Sequence, residues 1–407
     1  MVSIVATLVG SAILVAAPAR EAHDAASLLR LVRAAVIPHE HLIETMPSDG
    51  RESARGDAIW TINQIGAPAV PFLLPYVRAH PRGEWDSEQR ARAIALVCGL
   101  GRAARSAFAA LAPLVRARDA ELRGTVAVCL AHLGVSPRLV APLILPLLSD
   151  RDSFVVREAV EGARQLGPAA APALARLRRL AYRGDVYVRV AAVAAIGNIG
   201  RAARTARPTL DVALDDAEAD VQAAAAVALV KTRIAPAGGL RHLLDMLAAR
   251  GAYAEAIDWP RAAAWRLGEL APYPEGKAAL PALVAALDTA PPEIHDGLAH
   301  AITTFGADAA ASALVPLTKI LDRDSFTNSK EACGALAALG ARILPAVPAL
   351  VRAASSSGNS SGPASQALLA TARRSKDVRL AVKAECAKTS GWPLRRCQVL
   401  IAEIESH

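Results

Sequence analysis

An apolar residue followed by glycine punctuates the chain at a nearly fixed interval: Ile65-Gly66, Leu100-Gly101, Leu133-Gly134, Leu166-Gly167, Ile199-Gly200, Leu267-Gly268, Phe305-Gly306 and Leu339-Gly340. Thr232-Arg233 stands in the one remaining place, and with it the intervals are 35, 33, 33, 33, 33, 35, 38 and 34 residues. A period in that range signals a stacked array. Eight residues before each of these positions stand Ala58, Ala93, Val126, Ala159, Ala192, Ala225, Pro260, Leu298 and Ala332; four before it stand Ile62, Val97, Leu130, Ala163, Ile196, Leu229, Ala264, Ile302 and Leu336. With the residue just before the glycine they make an i, i+4, i+7 stripe, which predicts one amphipathic helix per repeat with a closely packed face. The glycine falls near the C-terminus of that helix, where positive φ is often required.

After each glycine a second apolar segment follows, often with proline near its start, as in Pro71-Phe72-Leu73-Leu74, Pro172-Ala173-Leu174, Pro208-Thr209-Leu210, Pro281-Ala282-Leu283 and Pro348-Ala349-Leu350. Proline fits a first helical turn, whose N–H has no intrahelical partner. Each unit is therefore helix, turn, helix. Fifteen residues before the glycine lies an acidic column of Asp86, Asp119, Asp152, Asp185 and Glu218, placed to cap the stripe helix and meet its positive dipole end. Arg55, Arg90, Arg123 and Arg189 recur four residues after that position, with Val156 in their place in the fourth unit, so each acid can also meet a neighbour's arginine.

Val155-Val156-Arg157-Glu158-Ala159-Val160 with Leu166-Gly167-Pro168, and Asp185 followed by Val188-Arg189-Val190-Ala191-Ala192 and Ile196-Gly197-Asn198-Ile199-Gly200, resemble HEAT repeats, particularly the bacterial type named after phycobilisome lyases. The resemblance covers about residues 50–352. It implies an all-α fold, an α-solenoid of about nine to ten antiparallel HEAT-type helix pairs. On activity it is nearly silent, since that family spans scaffolds, lyase subunits, DNA-glycosylase relatives and a di-iron hydroxylase. The expected organisation is a solenoid over 24–354, a Ser/Gly-rich loop over 355–365 and a C-terminal helical cap over 366–407, with helices at 366–374, 377–388 and 394–405 to cover the last apolar face.

Composition supports this reading: hydrophobic residues are 53% of the chain but aromatics only 4%, so the apolar mass is Ala, Leu and Val. The net charge is +8, mostly arginine interleaved with acids along the whole length. A nucleic-acid binder usually concentrates its charge on one stripe, and the densest cluster here is only Arg176, Arg178, Arg179 and Arg183 beside a predicted helix end. Nucleic acid is therefore not the expected partner.

Residues 2–19 carry no charge and end in Ala17-Pro18-Ala19, which is similar to a secretory signal, although no Lys or Arg precedes the apolar run. That segment points to export, periplasmic or extracellular; a cytoplasmic protein with a buried N-terminal capping helix is the alternative, and no other stretch could cross a bilayer. Five cysteines form no C-x-x-C. Cys98, Cys129 and Cys333 lie in helical apolar patterns and are expected as small core residues. Cys386 and Cys397 flank the break Gly391-Trp392-Pro393, so an antiparallel helix pair could unite them as a disulfide in an exported protein.

No catalytic constellation emerges. The one His-Glu pair, His39-Glu40 with His41, cannot build the repeated ligand set of the hydroxylase-like HEAT proteins, and His295-Asp296 has no counterpart. Trp60 and Trp265 lie in helix patterns and are expected to pack, whereas Trp85, in the 81–87 turn, is expected to be exposed. No metal or cofactor is implied. The reading is a non-catalytic scaffold for a protein or peptide partner, the alternative being a HEAT-type enzyme or a lyase-like handler of a chromophore or small ligand. The expected docking residues stand two before the glycine, at the edge of the stripe: His132, Gln165, Asn198, Lys231 and Arg266, extended upstream by Glu121, Glu158, Tyr187 and Asp220.

Overall fold

The computed structural model describes residues 25–36, 48–79, 83–249, 258–322, 329–356, 361–390 and 392–405. The uncharged N-terminal run, His39-Glu40-His41, and the side chains of Arg55, Trp85 and Asp86 lie outside the described residues. The chain is all-α, with no strand among the described residues. It divides into two compact units, one ending at Ile199 and the other beginning at Gly200. Each is an α-solenoid of stacked helix pairs.

In the first unit the stripe helices are Ser48–Ile65, Glu84–Gly99, Ala120–His132, Ser153–Leu166 and Val186–Ile199; in the second they are Ala219–Lys231, Asp258–Leu267, Pro292–Phe305 and Ser329–Ala337. A partner helix precedes each, giving nine pairs among the described residues, and Val347–Ser355 with Ser361–Ala372 makes a tenth. The cores are the predicted stripes: Ile62, Leu130 and Ile196 in one unit, Ala264, Ile302 and Leu336 in the other, are fully buried. Each unit's long apolar face is thereby removed from water, the main term favouring such an array.

The turn after each stripe helix is more structured than expected. Gly101–Ala107, Gly167–Ala173, Gly200–Ala206 and Gly340–Ala346 are seven-residue 3-10 segments. Their buried residues come every third position, Ala104 and Ala107, Ala170 and Ala173, Ala203 and Ala206, Ile343 and Ala346. That spacing matches the three residues per turn of a 3-10 helix. Proline opens or interrupts several of these segments at no hydrogen-bonding cost, as Pro168 does at the first positions.

Three acids cap their helices. Asp119 accepts from the Glu121 N–H (3.0 Å), Asp152 from Phe154 N–H (2.9 Å) and Asp185 from Val188 N–H (2.8 Å). Glu218 does not cap. Its side chain is one methylene longer, which removes the short-acceptor geometry that makes Asp a good N-cap. The acid column meets its neighbours' arginines through charge, Asp119 acting on Arg90 and Asp152 on Arg123, and not through the closest hydrogen bond of Arg123. Arg123 instead forks Asp150, two residues before the cap position, through Nε–Oδ2 (3.1 Å) and Nη2–Oδ1 (2.9 Å). That hydrogen bond holds Asp150 below the usual carboxylate range. Arg90 and Arg176 donate to the end carbonyls of short helices, Val77 (3.0 Å) and Leu148 (2.8 Å), satisfying acceptors that a helix C-terminus leaves open.

Cysteine chemistry also departs from expectation. Cys98 and Cys129, expected as separate core thiols, are disulfide-bonded across consecutive stripe helices, with Cα atoms 5.0 Å apart. Small residues between these helices allow the approach a disulfide needs. Cys386 and Cys397 do meet, on helices Lys376–Cys386 and Trp392–Glu405, but as two buried free thiols in hydrogen-bond contact. The Ser/Gly loop is shorter than 355–365, because helix Val347–Ser355 enters the tract and helix Ser361–Ala372 starts inside it. Ser355 Oγ donates back to Val351 O (2.7 Å) and Ser356 Oγ to Ala353 O (2.8 Å), closing the first helix, while Pro363 suits the opening turn of the next.

Two substitutions test this architecture. Leu130→Ala should cost about 2–5 kcal/mol from the cavity it leaves, and Gly167→Ala about 1–3 kcal/mol from forcing a side chain to φ 56°, ψ −129°. Chemical denaturation should show both losses; a change below about 0.5 kcal/mol, the size of an ordinary surface substitution, in either variant would contradict the assigned face or turn.

Candidate docking face

The residues two before each glycine do not form five free rungs. His132 Nδ1 contacts Val128 O in its own helix (2.8 Å), and exposed Gln165 donates to Glu161 Oε1 (3.0 Å) one turn back. Asn198 reaches across repeats, donating from Nδ2 to Arg164 O (3.0 Å). Thr304, at the same place in the second unit, donates to Gly268 O (3.1 Å). At Asn198 and Thr304 the column meets the carbonyls that the preceding stripe helix leaves open at its end.

Lys231 and Arg266 are the two members brought together, and a residue that pattern reading passed over unites them. Glu269 accepts from Lys231 Nζ (2.5 Å) at Oε2 and from Arg266 Nη1 (2.7 Å) at Oε1. Burial pushes the Glu269 carboxyl up, but the two cations outweigh it and hold it at about 2. The signal was present: Glu269 is the only acid immediately following any of the repeat glycines.

Around this triad the second unit forms a recess of about 320 Å³, lined by Asp220, Arg261, Ala262, Trp265, Arg266, Glu269 and His300. Trp265, expected to pack, is 41% exposed. Its ring rests on Gly297, where an added Cβ would come within 3.0 Å of the indole, and its centroid lies 4.6 Å from that of His300. His300 Nδ1 in turn lies 3.5 Å from Glu331 Oε2. Nearby on the same helix, Asp296 has a buried Oδ1 with no hydrogen-bond partner, and burial, with Glu331 beside it, pushes its carboxyl up to about 6. His295 is buried, with Nε2 3.0 Å from Ala290 O.

In the first unit Trp60 is 61% exposed, which also corrects its assignment to packing. A tryptophan on the stripe helix but off the stripe points to solvent. The upstream rungs divide: Glu121 and Asp220 are exposed, Glu158 is half-buried with its carboxyl raised by desolvation, and Tyr187 carries Arg157 stacked on its ring, Cζ 4.3 Å from the centroid. Among the described residues no group of three or more His, Cys, Asp or Glu could hold a metal ion. One helical run, Val186–Leu214, is long and apolar enough to cross a membrane by length and composition, and more than half of it is buried in the protein.

No protein-family model matches the chain, and no curated protein matches it in sequence. Solved structures are similar in arrangement. They include YibA from Escherichia coli (17% identity, 74% of this chain and 99% of that one, TM-score 0.37). Importin beta is another (13%, 93% and 58%, 0.42), as is the CpcE and CpcF complex of phycocyanin lyase from Nostoc (19%, 82% and 99%, 0.35). Scores this low leave the functional reading to the residues of this chain.

The acid-side stability should report the triad. Glu269 has a folded pKa of about 2, against an unfolded value near ~4.3, so its contribution is present above ~4.3 and is lost as pH falls toward 2. Denaturant midpoints followed from pH 7 to 2 should separate wild type from Glu269→Gln at neutral pH and converge at the acid end. Parallel curves would show that the triad does not set the carboxyl's affinity for protons.

Proposed function

We propose that the chain is a non-catalytic scaffold that docks a protein or peptide partner along the off-stripe face of its Gly-ended helices. The observation that carries this reading is the pair of exposed tryptophans, Trp60 and Trp265, in a chain with only 4% aromatic residues. Tryptophan is costly to leave in water, and it dominates the few residues that supply most interface energy. The off-stripe position supports the assignment, because the core has no use for these rings.

The same reading places the protein in an oxidising compartment outside the cytoplasm, supported by the Cys98–Cys129 disulfide, since such bonds persist where thiols are not kept reduced. Affinity capture from the native compartment should recover one reproducible protein with the wild type and lose it with Trp60→Ala combined with Gln165→Ala. Undiminished recovery with the double variant would sink the docking face. Alkylation of the unfolded native protein without reductant should spare Cys98 and Cys129; labelling of both would overturn the compartment.

A further inference from the structure

We propose that the recess of the second unit receives an arginine side chain of the partner, its guanidinium stacked on Trp265 and paired with Asp220. This rests on the docking reading and adds to it the chemistry that is recognised. The cations and most of the anions at the recess are already engaged. Arg261 Nη2 meets Asp258 Oδ1 (2.6 Å), Arg266 and Lys231 share Glu269, and His300 lies against Glu331. Asp220 is exposed and has no hydrogen-bond or ion-pair partner among the described residues. It stands in the first turn of Ala219–Lys231, at the positive end of the helix dipole. An added carboxylate would meet Asp220 and Glu269, which line the same recess, whereas a cation pairs with Asp220.

The protein itself shows which cation fits. Arg233 is forked by Glu275, Nη1 at 2.8 Å from Oε1 and 2.9 Å from Oε2, while its Cζ lies 5.4 Å from the Tyr273 centroid. Arg157 stacks on Tyr187 in the same way in the first unit. Guanidinium, aromatic ring and carboxylate thus form one satisfied set around Arg233. The recess presents a part-exposed ring and, at Asp220, a carboxylate with no partner among the described residues, while its own guanidiniums, Arg261 and Arg266, are engaged, in a volume of about 320 Å³ suited to one long side chain. A planar guanidinium stacks and forks where an ammonium does neither as well.

The test uses the full-length protein labelled with 15N and three blocked Gly/Ser octapeptides that differ only in a central Arg, Lys or Glu. The indole N–H signal of Trp265, assigned by its loss in Trp265→Phe, should move saturably with the Arg peptide, less with Lys, and not with Glu. Asp220→Asn should weaken the Arg peptide about tenfold, the scale of a lost hydrogen bond to a charged group. The proposal is overturned if the Glu peptide moves the signal as far, if the Arg peptide leaves it unmoved, or if Asp220→Asn binds as well as wild type. Partner capture that persists with an unmoved Trp265 signal defeats only the arginine site; a saturable Arg response without any captured partner defeats only the scaffold reading.

Discussion

Most of each unit depends on a backbone constraint: every stripe helix but Asp258–Leu267 ends in a residue with positive φ, at the same distance from its buried stripe. Gly66, Gly101, Gly134, Gly167, Gly200, Gly306 and Gly340 meet it with φ between 51° and 92°. The turn there also seats the next stripe helix. A Cβ on Gly101 would lie 3.7 Å from His132 O, and one on Gly167 3.6 Å from Asn198 O. Turn and seam are one contact, so the backbone reversal fixes both the length of a repeat and the register of its neighbour. Arg233 proves the constraint by exception: it adopts φ 60° without being glycine. Its strain, of the order of 1–3 kcal/mol, is offset where Glu275 and Tyr273 hold the side chain.

That seam consumes polar side chains which would otherwise look like a binding surface. A helix end exposes carbonyls, and burying it against a neighbour demands donors. Asn198 and Thr304 supply them from the position two before the glycine, and Arg90 and Arg176 supply them at the ends of the short helices. Of the polar ladder expected to dock a partner, Asn198 is therefore mortar between repeats, while Lys231 and Arg266 are tied to Glu269. Capacity for recognition remains on side chains the seam does not need, the exposed rings and Asp220.

How much of this was legible follows from which interactions are periodic. The stripe recurs in every regular repeat and the terminal glycines and Asp caps in most of them, so sequence alone placed the helices to within a few residues and named the buried face. The four 3-10 segments were legible in principle through apolar residues three and six places after Gly101, Gly167, Gly200 and Gly340, a period that a search for helical or alternating patterns passes over. Non-periodic pairings were hidden: nothing in the spacing of Cys98 and Cys129 distinguished them from packing cysteines, and Asp150 became Arg123's partner only once two repeats were stacked. Trp60 and Trp265 were misassigned because lying on an amphipathic helix does not say on which side of it.

The irregularities of the array coincide with its least structural features. In the repeats ending at Gly134 and Gly200 the positions three and six before the glycine carry Ala131 and Val128, and Gly197 and Ala194, and in the repeat ending at Gly167 they carry the paired Arg164 and Glu161. Where the intervals lengthen to 35 and 38, the same positions carry Trp265 and His300. The acid after the glycine appears in that stretch alone, and Arg233 replaces the preceding glycine. Inserting two large rings there requires Gly297 opposite Trp265 and leaves a recess instead of a closed seam. Local rules are broken together, with compensations around each break, which is the physical mark of a site kept for something other than folding.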